Sequence, residues 1–111
     1  MKKFVVLYKS DRDPMEMMRS MTPEQSKAGM DLWMQWSDKA GSSVVDLGAP
    51  LGMGEVVTKS GAMKAPLGVS GYSIMQAESM VELKGKLNGH PHLMTPGMSS
   101  IEIYEVMPMD K

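Results

Sequence analysis

A chain of 111 residues, 42% hydrophobic and 23% charged, has the size and balance of one globular domain, which argues against disorder or a membrane span. Its net charge of −1 supplies no broad basic field, so nucleic acid is not an expected partner. The absence of cysteine removes disulfides, thiolate catalysis and zinc–thiolate centres together.

Residues 3–9, "KFVVLYK", are β-branched and aromatic and predict a strand, with Asp11, Asp13 and Pro14 marking a loop after it. Two lysines and five apolar residues are too short for a signal-peptide core, so a cytoplasmic protein is expected. Methionine is the compositional anomaly at 15 residues, with a local cluster at Met15, Met17, Met18 and Met21. Thioethers are soft ligands suited to Cu(I). They also fill irregular gaps and mobile apolar surfaces, and the scatter of the other methionines along the chain favours that packing reading.

Thr22, Pro23 and Gln25 predict a helix start: an N-cap, a proline in the first turn and a Thr-x-x-Gln capping box. Gly41 predicts its end. At 100° per residue Ala28, Leu32, Trp36 and Ala40 share one stripe, with Gly29 and Trp33 beside it and Asp31 opposite. Trp33 and Trp36 therefore read as core residues that could also wall a ligand pocket.

Strands are predicted over 43–51, over 54–59 and over 68–77, with a loose surface connection between the last two. Ser79 caps a second helix that Asn88 and Gly89 close, and 100–107 forms the last strand. The order predicts an α+β domain over 1–111: a ferredoxin-like βαββαβ fold with an antiparallel sheet and both helices on one face. Apolar residues nonetheless emerge on both faces. Val5 and Leu7 oppose Phe4, Val6 and Tyr8; Tyr72 and Ile74 oppose Val69 and Met75; Tyr104 and Val106 oppose Ile101 and Ile103. Two helices cover only one face, so a second copy is expected on the other, giving a homodimer with its sheets face to face.

The segments "KFVVLYK", "GAPL", "GYSIMQAES", "HPHL" and "IEIYEVMPM" resemble the YCII-related (DGPF-type) family over nearly the whole chain. The resemblance implies a dimeric α/β barrel. Most members of that family have no assigned activity, and a few relatives act on chlorinated or hydroxylated aromatic compounds in dehydrochlorinase, lyase or isomerase chemistry. It also implies a dyad of a histidine on the first helix and an aspartate before a proline after the second. This chain departs at both places, with Asp31, Trp33 and Trp36 on the helix and His90-Pro91 after the second. An exchanged dyad of Asp31 and His90 is opposed by the position of Asp31 away from the apolar stripe.

His90 and His92 are the candidate catalytic residues, because an imidazole titrating near pH 6.5 can act as general base. Trp33, Trp36 and Tyr72 are the candidate ligand-binding residues. A structural reading competes: Pro91 blocks helix continuation, one imidazole caps a carbonyl and the other sits in water. Two histidines two apart give at most half a metal site, so no metal is assigned. "GAPLGMG" lacks a phosphate-loop pattern and reads as a bend in the sheet, serine nucleophiles lack an elbow, and no cofactor is expected. The expected function is binding of a small, partly aromatic organic molecule in the cleft of a homodimer. The alternatives are a lyase or isomerase using His90 or His92, and methionine-based Cu(I) binding.

Overall fold

The first strand, β1 (Lys2–Ser10), is apolar on both faces and lies inside the sheet, where each edge is sheltered by a neighbour. The structure is a computed structural model and describes residues 1–94 and 97–109. After β1 come α1 (Pro14–Ser20), α2 (Pro23–Ala40), β2 (Val44–Pro50), β3 (Glu55–Thr58) and β4 (Gly61–Lys64). The chain continues with β5 (Val69–Ala77), α3 (Met80–Leu87), a 3-10 turn at Pro91–Met94 and β6 (Ser99–Glu105). The four-stranded sheet has the order β2–β5–β1–β6, every neighbouring pair antiparallel. This is an α+β architecture whose strand order is consistent with the expected ferredoxin-like arrangement. No helix among the described residues is long and apolar enough to cross a membrane.

Local chemistry sets the helix ends where the sequence places them. The Thr22 side chain accepts the Gln25 amide N–H at 3.1 Å, and the Gln25 side chain accepts the Thr22 N–H at 2.9 Å, closing the capping box. Gly41 (φ 60°) ends α2, and Ser79 caps α3 by accepting the Glu82 N–H. Gly48 (φ 77°) bends β2 where a side chain could not follow, because a Cβ there would lie 1.8 Å from the Tyr72 carbonyl oxygen. The bend read into "GAPLGMG" is this one.

The core lies on a single face of the sheet. Phe4, Val6 and Tyr8 of β1 and Met75 and Ala77 of β5 pack under Trp36 and Ala40 of α2 and Leu83 and Leu87 of α3. The opposite face carries Val5, Leu7 and Lys9 of β1, paired with Ile74 and Tyr72 of β5 and with Tyr104 and Glu102 of β6. The helices that supply core residues, α2 and α3, lie on the other side.

Three expectations need correction. The segment after β1 is not only a loop: Asp13 accepts the Met15 N–H and starts α1, which puts Met15, Met17 and Met18 on a helix. Residues 61–64 form β4, antiparallel to β3, instead of a loose connection. The α2 stripe is buried only in its second half: Trp36 and Ala40 are covered, whereas Ala28 is exposed and Leu32 is 51% exposed. The first turns of the helix therefore meet water. The methionines, for their part, stand mostly on the surface and not in the core. Met75 is fully buried and Met17 half-buried, and the other methionines are exposed.

The molecule measures 44 × 38 × 20 Å with a radius of gyration of 15.4 Å, where a compact domain of this length has about 13 Å. Its accessible surface is 7933 Å², against about 6,100 Å² for a typical monomer of this mass. The difference is roughly 1,800 Å².

Candidate functional site

Two groups of candidate side chains lie on opposite sides of the sheet. The first surrounds His90. Helix α3 ends at Leu87, Gly89 turns the chain (φ 77°), and the His90 N–H donates to the Leu87 carbonyl at 3.1 Å. Pro91 then opens a 3-10 turn that carries both imidazoles back under α2. His90 has no accessible surface and His92 is 7% exposed. The ring of His90 lies 4.2 Å from Trp36, 4.5 Å from Trp33 and 4.9 Å from Tyr8, measured between centroids, with Trp33 at a near-perpendicular 87°. Tyr8 in turn packs against Trp33 and His92.

Hydrogen bonding fixes the protons. The His92 amide N–H donates to His90 Nδ1 at 3.0 Å, so that nitrogen is a lone-pair acceptor and the neutral ring carries its proton on Nε2. The Nε2 atom is buried without a hydrogen-bond partner among the described residues. His92 Nε2 lies 2.8 Å from the Lys9 carbonyl, which can only accept, so the His92 proton also sits on Nε2. The Lys9 carbonyl belongs to the point where the β1–β5 register slips between Tyr8 and Lys9. Burial pushes His90 down to about 4, with a smaller contribution from nearby His92. Ser73 gives its proton to the Leu47 carbonyl, so in the 2.7 Å contact with Tyr8 the phenol is the donor. Burial pushes Tyr8 up to about 12. His90 and Tyr8 are thus neutral at physiological pH, in buried and aromatic surroundings.

The expected division of labour, one imidazole on a helix-end carbonyl and one in water, does not hold. His92 reaches a strand carbonyl, and neither ring is in water. Trp36 is anchored as firmly, since its indole N–H donates to the Lys86 carbonyl at 2.9 Å. Trp36→Phe should lower stability by about 2 kcal/mol, through lost ring area and an unpaired carbonyl, as read in urea unfolding. A groove of about 220 Å³ passes Leu32, Trp36, Asn88, Pro91 and Met94. It is smaller than the cavities of roughly 300 Å³ and more that hold drug-sized molecules.

The second group occupies the open face, and Tyr72 belongs to it, apart from His90, His92, Trp33 and Trp36. Leu7 pairs with Tyr72 on one side and with Glu102 on the other, and Val5 pairs with Ile74 and Tyr104. Within this apolar patch the Lys9 ammonium lies 3.8 Å from Glu102 Oε2, and the Tyr104 hydroxyl donates to Glu102 Oε1 at 2.9 Å. That hydrogen bond, with the charge of Glu102 behind it, holds the Tyr104 phenol above its ordinary range. An ammonium, a carboxylate and two phenols on an aliphatic wall can orient a small molecule through both donors and acceptors. Lys9 and Glu102 escaped the reading of the sequence, and Tyr104 entered it only as an apolar residue of that face. Period-two alternation could have found them, because Lys9 follows Val5 and Leu7 on one face, and Glu102 and Tyr104 are two apart.

Asp31 is exposed on α2, and the structure does not bring it to His90. Met15, Met18 and Met21 stand at 41%, 61% and 38% exposure. Among the described residues no three histidine, aspartate or glutamate side chains gather in a way that could hold a metal ion. Compared with known proteins, the chain matches no protein-family model and no curated protein, so the family resemblance rests on the quoted segments alone.

Proposed function

We propose that the protein works as a homodimer that packs its open sheet faces together, in the manner of a dimeric α/β barrel, and binds a small, partly aromatic organic molecule in the cleft between them. The observation that carries this reading is the open face itself. Val5, Leu7, Tyr72 and Ile74 form an aliphatic and aromatic wall around Lys9, Glu102 and Tyr104, and the chain exposes far more surface than its mass calls for. Tyr72 lines the cleft and stacks on the ligand. Lys9 meets an anionic or carbonyl oxygen, and Glu102 accepts from a hydroxyl. Hydroxylated aromatic acids and related hydroxy-carbonyl compounds have this pattern of groups.

The aromatic cluster on the far side supports that site instead of performing chemistry. A general base must reach the proton it removes. His90 is sealed by Trp33, Trp36 and Tyr8, and the Nε2 proton of His92 is committed to Lys9, the residue whose side chain stands in the cleft. Helix end, turn and β1 are clamped together there, and the clamp fixes where Lys9 leaves the sheet.

Sedimentation equilibrium at micromolar concentration should give a two-chain mass, and a panel of hydroxylated aromatic acids should include members that raise the melting temperature. At a hundredfold excess over Kd the gain is about 2.7 kcal/mol. Tyr72→Ala should abolish that gain while leaving the mass unchanged. A single-chain mass at those concentrations removes the cleft and the reading with it.

A further inference from the structure

The β3–β4 ribbon is the least accounted-for part of the molecule. It forms a two-stranded sheet separate from the main one, and all eight of its strand residues are exposed. A lone hairpin is at best marginally stable in water, and three strands or a packed face are needed to hold one. Each face of this one carries exposed apolar side chains, with the Glu55–Lys64 pair at the base of one of them. Val57 (78% exposed) pairs with Ala62 on one side, and Met63 (65%) pairs with Val56 on the other. At the ribbon's base, where Ala65 N–H donates to the Gly54 carbonyl at 2.9 Å, lies an apolar groove of about 330 Å³ lined by Leu51, Met53, Ala65, Pro66, Leu67 and Val69. Paired strands extend away from their own base and cannot fold back into it, so each chain presents an unsupported arm and an unfilled groove.

We infer that the β3–β4 arm of each copy seats in the groove at the base of the other's arm, clasping the dimer. An apolar arm and an apolar groove on one chain are the self-complementary pair that a two-fold interface needs. The groove ends on Val69, the first residue of β5, the strand that presents Tyr72 and Ile74 on the open face. The clasp is therefore continuous with the sheet-to-sheet packing. This inference rests on the homodimer proposed above and adds the element that locks it.

Because the chain has no cysteine, a single introduced thiol reports one position. Val57→Cys and Leu67→Cys chains, co-expressed and treated with a short bis-maleimide, should give a covalent two-chain product well above that of either variant alone. In the full chain Val57→Asp should raise the dimer Kd at least tenfold, with a melting profile of the dissociated chain within a few degrees of the parent's. Absence of the mixed product, or an unchanged Kd in the aspartate variant, overturns the clasp while a two-chain mass leaves the sheet-to-sheet dimer standing. A one-chain mass for the unsubstituted protein overturns both.

Discussion

Between pH 6.5 and pH 4 the protein should lose about 3 kcal/mol of folding stability, with most of the loss traceable to His90. An unfolded histidine titrates near 6.5, whereas in the fold burial, and secondarily His92, hold His90 at about 4. Above pH 6.5 both states carry a neutral ring and the contribution is zero. Below it the unfolded chain takes up a proton that the folded chain refuses, so stability falls by about 1.4 kcal/mol per pH unit. Below about pH 4 the folded state protonates as well and the slope disappears. The direction is opposite to that of a histidine gaining a carboxylate partner. His90→Asn isolates the effect, because its side-chain oxygen can stand where Nδ1 accepts the His92 N–H while nothing there titrates. That variant should be about 2 kcal/mol less stable at neutral pH from lost ring packing and should show a flatter acid profile in urea unfolding at stepped pH. A slope undiminished in His90→Asn would place the acid lability elsewhere.

The parts of this fold that were legible beforehand are those set by neighbours in sequence. The Thr22–Gln25 box, the Gly41 stop and the Ser79 cap each involve groups within a few residues, and each appears as read. The alternation of β1 was equally plain, since Phe4, Val6 and Tyr8 are buried together while Val5 and Leu7 share the other face. What failed is tertiary. Asp13-Pro14 serves a turn and a helix start alike, and only the hydrogen bond to Met15 tells them apart. "GAMK" has little strand propensity of its own and becomes β4 by pairing with β3. Leu32 and Ala28 fit the α2 stripe by angle, but both are exposed.

The candidate site divides along the same line. The nearness of His90 to Trp33 and Trp36 could be anticipated from one turn facing one helix. Its complete burial, and the commitment of His92 to the Lys9 carbonyl 83 positions away in the chain, depend on the β1–β5 slip and leave no trace in composition or spacing. Tyr72 was grouped with the tryptophans because all three are aromatic. The register, which sets Tyr72 across from Leu7 and Ser73 across from Val6, assigns it to the opposite side of the sheet. One layer of backbone separates the buried aromatic cluster from the open face that carries Tyr72.

That separation makes the sharpest expectation a contrast between two adjacent residues. Ile74 stands on the open face opposite Val5, and Met75 lies fully buried opposite Phe4. Met75→Lys should prevent folding, because an unpaired ammonium would enter the core at a penalty of several kcal/mol. Ile74→Lys should instead leave the chain folded and separate the copies. In the dimer the substitution would bury one unpaired charge per subunit; at about 3 kcal/mol each, the Kd rises by roughly four orders of magnitude. The variant would then sediment as a single chain at micromolar concentration, with circular dichroism of the parent type and with Tyr72, Lys9 and Glu102 returned to water, so ligand-induced stabilisation should vanish together with the second copy. A parent-like Kd for Ile74→Lys would mean that this face meets solvent in the working protein. The aliphatic wall around Lys9, Glu102 and Tyr104 would then have no cleft to line.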